Sequence, residues 1–268
     1  MTNNNSDHQV IILAAGRSLR LSRLTQDRPK SLLVVAGEPI LGHSLNILNR
    51  RGFNRLTLVV GYLREQFVER FGTRYENIDI EYVTNEDYAD SEHGWSLYCA
   101  RQSWARNESP VVFMDADNLY DPMMLDKVMG CGFDDVMLVD ENLNVEDHDE
   151  ELVIGRGGVV TGLRRGRIAD FEDFAGGFVG INRFSSAFMG GLFAFMDGFF
   201  KRKGKMQKYE RVFDALINQT GARMHYLESR GLPWINVNHE ADYEEAKRIA
   251  RTMAADALAR TSHQAAPK

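Results

Sequence analysis

The sequence has little of what would place it outside a reducing, aqueous compartment. Only two of its 268 residues are cysteines, Cys99 and Cys131. Neither sits in a CxxC or Cys/His pattern, which argues against a structural zinc and predicts two free thiols. No run of about 18 uncharged apolar residues occurs, so no membrane span is expected. The greasiest stretch, GGLFAFMDGFF, is short and interrupted by Asp197. The first residues, MTNNNSDHQ, lack the apolar core of a secretory leader. Together these absences predict a cytoplasmic protein. Positive charge is scarce as well: 32 Lys and Arg stand against 38 Asp and Glu, for a net charge of −6. That balance argues against a nucleic-acid partner. The GxGxxG dinucleotide fingerprint and the GxxxxGK[ST] phosphate loop are both missing, and there are no internal repeats.

Against this acidic background, one stretch stands out. IILAAGRSLRLSRLTQDRPKSLL opens as a buried strand, breaks at Gly16, and then carries Arg17, Arg20, Arg23, Arg28 and Lys30. Five cations just past a strand's carboxyl end point to a bound anion. Lys30 follows Pro29, whose ring fixes the local backbone, so its ammonium is presented as a point charge suited to phosphate. Small residues in Leu13-Ala14-Ala15-Gly16 let the backbone approach a ligand closely.

Strands and helices alternate through the first half. VIILAAG, LTLVVGY, IDIEYV and PVVFMDAD read as strands, and ILGHSLNILNRRG, LREQFVERFG and GWSLYCARQSWAR as helices. That alternation predicts an α/β fold with a mostly parallel mixed sheet covered by helices on both faces. Beyond Asp140 the pattern turns to hairpins and an acidic run, Glu146–Glu151, expected to be solvated. A long helix closes the chain. We expect one domain over 1–260 and a flexible tail over 261–268. The apolar run 185–200 reads either as a homodimer contact or as core. Ligands of such sheets bind at the carboxyl ends of the strands, which gathers Gly16–Lys30, the 84–94 loop and Asp115–Asn118 around one crevice. Two acids in DADN at a strand end, beside a phosphate site, suit Mg²⁺, which prefers hard oxygen ligands. Asn238, ending WINVN, is placed to add another. His43, His225 and His239 have no convergent partners and are read as structural.

The order LAAG, R-L, P-K, a strand ending in D-x-D-N, and a late W-x-x-N strand before a terminal helix resembles the nucleotidyltransferases that activate sugar phosphates and small alcohol phosphates. The likeness runs from about Gln9 to Ile249. GYLREQF, the YAD before a short loop, SLY, DADN and the final DY bring it closer to bacterial phosphocholine cytidylyltransferases and related enzymes acting on inositol phosphate or aminoalkyl phosphonates. The resemblance implies a Rossmann-like, three-layer nucleotide-diphospho-sugar transferase fold, with CTP or another NTP along Leu13, Ala14, Ala15, Gly16 and Arg17. It implies Arg20 and Lys30 on phosphates, Asp117 and Asn238 as Mg²⁺ ligands, and Asp115 beside them. It places Asn85, His93 and Ser96 near the base and the acceptor, and makes Tyr209, Glu210, Glu172 and Asp173 candidates for holding the small phosphate or phosphonate acceptor. The sequence departs from the family pattern in places: Ser18 replaces a glycine and Leu19 a small or polar residue, the 92–94 loop that usually carries an asparagine reads Glu92-His93-Gly94, and Gly176-Gly177 replaces Gly-Glu. The implied reaction moves CMP from CTP to the acceptor and releases pyrophosphate. Two alternatives stand beside it: a sugar-1-phosphate nucleotidyltransferase using UTP, dTTP or GTP, and a nucleotide-binding regulatory protein without turnover.

Overall fold

In the computed structural model, which describes residues 5–143 and 151–264, apolar runs become strands and the amphipathic segments between them become helices. β1 (Gln9–Ala14) leads through a loop with a short α1 (Ser22–Thr25) to a small hairpin, β2 (Val34–Val35) and β3 (Glu38–Pro39). Then come α2 (Ile40–Arg50), β4 (Arg55–Val60), α3 (Glu65–Phe71), β5 (Arg74–Tyr75), β6 (Ile78–Thr84), α4 (His93–Cys99) and α5 (Arg101–Trp104). β7 (Val111–Asp115), β8 (Asn118–Tyr120), α6 (Pro122–Gly130) and β9 (Val136–Asp140) follow. The remainder is β10 (Glu151–Arg156), β11 (Val159–Arg165), β12 (Phe174–Phe184), α7 (Ser186–Lys203), α8 (Tyr209–Thr220), β13 (His225–Glu228), β14 (Trp234–Asn236) and α9 (Glu240–Gln264).

Ten strands form one sheet in the order β10-β11-β13-β9-β12-β7-β1-β4-β6-β5. β1 lies inside it, parallel to both β4 and β7. Its register sets Leu13 beside Asp115, so the LAAG turn and the acidic turn leave the sheet side by side. The sheet is mixed: β12 runs antiparallel to both β7 and β9, and β10–β11 is an antiparallel hairpin. Alternation along β1 sorts the core into two layers. Ile11 and Leu13 face Leu97, Trp104, Phe193 and Phe213 of α4, α5, α7 and α8. Val10, Ile12 and Ala14 face Leu45, Phe67 and Leu125 of α2, α3 and α6. The large apolar residues of α7, including Phe188, Leu192, Met196 and Phe199, are buried in the first of these layers. The 185–200 run is thus core.

A third cluster ties Leu21 and Val35 to Val237 and Ala246, clamping the end of the chain onto the segment after β1. The short ribbon β8–β14 aligns Asn118 with Asn236. The Val237 amide donates to the Asp117 carbonyl at 3.1 Å, which sets Asn238 next to the acidic turn. α9 continues through Gln264, into the stretch expected to be tail. Most of the acidic run 146–151 lies outside the described residues. Among the described residues, no helix is long and apolar enough to cross a membrane.

Candidate active site

A cleft of about 710 Å³ opens at the carboxyl ends of β1 and β7. Its floor is the turn after β1. Close approach of Tyr88 to this turn depends on Gly61, where a Cβ would sit 2.7 Å from Tyr88 Cβ and 2.8 Å from the Ala15 carbonyl oxygen. Leu13 to Ser18 all line the cleft. Ser18 holds φ at +52°, the left-handed region that a glycine takes at no steric cost. The departure from Gly-x-Gly therefore keeps the glycine backbone but carries a side chain on it.

Five polar groups from distant parts of the chain meet in the cleft. Lys30 Nζ lies 2.5 Å from Asp117 Oδ2, with side chains only 12 % and 21 % exposed. The same ammonium donates to Asn238 Oδ1 at 3.0 Å, and Arg20 Nη2 donates to that oxygen at 3.0 Å. Asn236 Nδ2 donates to Asp117 Oδ1 at 3.3 Å. Asn238 is itself anchored, because Asp242 in the first turn of α9 accepts its backbone N–H at 2.8 Å. Arg17 also faces the cleft and lies over the Tyr62 ring. Arg23 and Arg28 do not line it; Arg28 pairs with Asp27 at the surface.

A second set of groups in the cleft is acidic and aromatic. Tyr209 donates its hydroxyl to Asp115 Oδ2 at 2.5 Å. Burial, reinforced by the neighbouring Asp117 charge, holds the Asp115 carboxyl well above the usual carboxylate range. Burial likewise raises the Tyr209 phenol, with Asp115 adding to it. Room for Asp115 comes from Gly180, whose φ is +77° and where any Cβ would strike Asp115 Oδ2. Glu210 lies in the first turn of α8 and is 5 % exposed. Burial, and then the charge of Glu151, pushes its pKa up to about 8. His93 keeps a third of its side chain open, yet the protein around it desolvates the ring and lowers its pKa to about 4. Its Nδ1 accepts the Tyr209 backbone N–H at 3.5 Å, and its ring meets the Tyr209 ring edge-on at 4.5 Å. Glu151 pairs with Lys208 at 3.1 Å and with Arg211 at 3.7 Å.

Most of the residues expected from sequence are gathered here: Leu13 to Arg17, Arg20, Lys30, His93, Ser96, Asp115, Asp117, Tyr209, Glu210 and Asn238 line one cleft. Asn85 stands behind the wall. It is 1 % exposed and braces the 85–96 loop by donating to Ser91 and Ser96 at 3.0 Å each. Glu172 and Asp173 do not line the cleft. Pairing of the Gly155 amide with the Asp173 carbonyl holds this segment along β10, where Glu172 is exposed and Asp173 binds Arg156 at 3.0 Å. His43 is satisfied by the Val35 carbonyl at 2.8 Å, and His225 stacks on Phe133.

Sequence reasoning missed Glu151, Phe178 and Asn236, all of which line the cleft. Asn236 carried a signal, since it shares a strand face with Asn238 two residues on. Glu151 begins the strand ELVIGR, but in the sequence it looks like the last residue of a solvated acidic run.

A family model described as the MobA-like NTP transferase domain matches residues 10–149. Choline-phosphate cytidylyltransferase of Streptococcus pneumoniae is 35 % identical over 113 residues, which is 41 % of this chain and 44 % of that protein. CMP-5'-(3-aminopropyl)phosphonate synthase of Streptomyces rubellomurinus is 35 % identical over 120 residues, 45 % of this chain and 19 % of that protein. The chain thus spans less than half the length of either curated relative. The solved CTP:phosphocholine cytidylyltransferase from Streptococcus pneumoniae superposes with a TM-score of 0.71 at 23 % identity, covering 90 % of this chain and 98 % of that one. That likeness shows the nucleotide-diphospho-sugar transferase fold.

Proposed function

The chain belongs to the MobA-like NTP transferase family, and on that premise we propose that it is a magnesium-dependent cytidylyltransferase. It moves CMP from CTP onto a small phosphomonoester or phosphonate, of the phosphocholine or 2-aminoethylphosphonate type, and releases pyrophosphate. The observation that carries this reading is the meeting of Lys30, Asp117, Asn238 and Arg20 beside the LAAG turn. The choice of CTP is supported by the relatives, whose names specify cytidylyl transfer.

The donor set fits a hard divalent cation. Asp117 Oδ2 and Asn238 Oδ1 already converge on one cation, the Lys30 ammonium, which stands in for a metal between them. Among the described residues no group of three or more His, Cys, Asp or Glu is arranged to hold a metal ion. A carboxylate and an amide oxygen, completed by water and phosphate, are the kind of partial shell Mg²⁺ accepts. Bound there, Mg²⁺ would neutralise charge on the triphosphate.

The chain's own groups do the rest. Arg17, Arg20 and Lys30 draw the triphosphate to the turn after β1. An acceptor oxygen attacks the α-phosphorus and forms the new P–O bond. The bond to the bridging oxygen breaks, and pyrophosphate leaves with its electron pair. The acceptor is already ionised near neutral pH, so no side chain has to remove a proton. Catalysis is then alignment of two anions plus stabilisation of the charge that builds on the leaving group. Asp115 stands beside Asp117 at the strand end, its Oδ2 fixed by the Tyr209 hydroxyl.

Pyrophosphate release measured with each of CTP, UTP, dTTP and GTP tests this reading. CTP with a phosphocholine-type acceptor is expected to exceed the other nucleotides at least tenfold. Preference for UTP or dTTP with a hexose-1-phosphate would replace it with the sugar-phosphate alternative.

A further inference from the structure

The Lys30 ammonium holds the same two oxygens that fit a metal ion. Its Nζ lies 2.5 Å from Asp117 Oδ2 and 3.0 Å from Asn238 Oδ1. Arg20 Nη2 also donates to Asn238 Oδ1 at 3.0 Å, which fills both lone pairs of that amide oxygen. Asn236 Nδ2 holds Asp117 Oδ1 at 3.3 Å. Every side-chain oxygen of the pair thus already carries a donor. Mg²⁺ takes its oxygen ligands at about 2.0–2.1 Å. A metal and an ammonium on the same oxygens would bring two positive centres into contact, so one has to leave.

Rigidity decides which. The oxygens are fixed, because the Val237 amide donates to the Asp117 carbonyl at 3.1 Å and Asp242 accepts the Asn238 backbone N–H at 2.8 Å. The backbone of Lys30 is fixed as well. Pro29 holds φ at −61°, and the Leu32 and Leu33 amides close onto the Pro29 and Lys30 carbonyls at 3.0 Å each. Ser31 and Leu32 are buried beneath this turn. The part free to move is the flexible four-carbon stem of Lys30, which lines the cleft together with the LAAG turn. A triphosphate at that turn offers the ammonium more negative charge than Asp117 alone. We propose that Lys30 is an exchangeable cation: it competes with a divalent ion for Asp117 and Asn238, and nucleotide phosphate, by drawing the ammonium away, tips the exchange toward the metal. Metal and nucleotide then strengthen each other's binding by the same factor. The inference rests on the proposed reading of Asp117 and Asn238 as the metal pair, and adds the competition, which that reading does not require.

The test uses full-length protein without nucleotide, with Mn²⁺ as the probe. Binding is read by titration calorimetry and by the paramagnetic resonance of free Mn²⁺. Lys30→Met keeps an unbranched stem and removes the charge; Lys30→Gln is a second variant, and circular dichroism checks that both are folded. Each is expected to bind one Mn²⁺ at least about tenfold more tightly than the unaltered protein, which is about 1.4 kcal/mol. Adding Asp117→Asn should remove the gain. Unaltered protein that binds Mn²⁺ as tightly as the variants overturns the inference while leaving cytidylyl transfer intact. A gain that survives Asp117→Asn also overturns it, since the ion then sits elsewhere, and so does absence of binding by every protein in the series. The expected gain, with no pyrophosphate released from any pairing of nucleotide and acceptor, would instead retain the inference and overturn the transfer reading.

Discussion

Replacing Lys30 by alanine tests the cationic end of the cleft in the most demanding way. The ammonium contacts Asp117 and Asn238, is only 12 % exposed, and has the triphosphate floor beside it. A hydrogen bond to a charged group contributes about 1.5–3 kcal/mol. Lost from the transition state, that is a fall of roughly ten- to 150-fold in kcat/KM. The change also leaves Asp117 beside the triphosphate without its ammonium, which pushes toward the larger figure. Lys30→Arg should not restore the rate, since the larger guanidinium with its fixed planar fork does not fit where a compact ammonium meets Asp117 and Asn238. The assay is initial-rate pyrophosphate release at saturating and limiting CTP, with circular dichroism to show that the variant is folded. An unchanged kcat/KM in a folded Lys30→Ala protein would refute the assignment of this lysine to phosphate.

Other perturbations follow from the same geometry. The Glu210 pKa is raised from 4.5 to about 8, so the native state holds an extra proton across that window and stability falls as pH rises through it, by about 1.4 kcal/mol per unit. Glu210→Gln should flatten that slope in urea melts between pH 5 and 9; parallel curves for the two proteins would contradict the burial argument. At Gly94, which packs on the 207–209 backbone, a Cβ would fall on the Gln207 carbonyl oxygen. Gly94→Ala should therefore lower Tm and weaken both CTP and acceptor binding, whereas weakening of one alone would show that the two loops are not coupled. Ser18→Gly should relieve a left-handed residue worth roughly 1–2 kcal/mol, less the entropy glycine adds to the unfolded chain, and a lower Tm would show that the Ser18 side chain makes a contact that outweighs the strain.

Much of the architecture was written in local signals. The strands around β1 are continuous apolar runs, and helices α2, α3 and α8 each end at a glycine with positive φ one or two residues on. Lys30 and the acidic turn at Asp117 stood out because each contrasts with its surroundings. What sequence could not supply was strand order. β12 inserts between β7 and β9, and β10 and β11 lie at the far edge, so only the assembled sheet shows which acids reach the cleft. Glu151 is brought in this way. Asp173, closer to β12 in sequence, is turned outward onto Arg156. The β8–β14 ribbon, with three residues per strand, is too short to show a period, yet it is what carries Asn236 and Asn238 to Asp117.

The central claim, transfer of CMP to a small phosphate or phosphonate acceptor, is tested most directly by phosphorus NMR of the protein with CTP, Mg²⁺ and, in separate samples, phosphocholine and 2-aminoethylphosphonate. The account predicts a pair of coupled phosphoanhydride resonances from CMP joined to the acceptor, appearing in step with pyrophosphate. Loss of CTP without that pair, or an unchanged spectrum under conditions where both ligands bind, would contradict it.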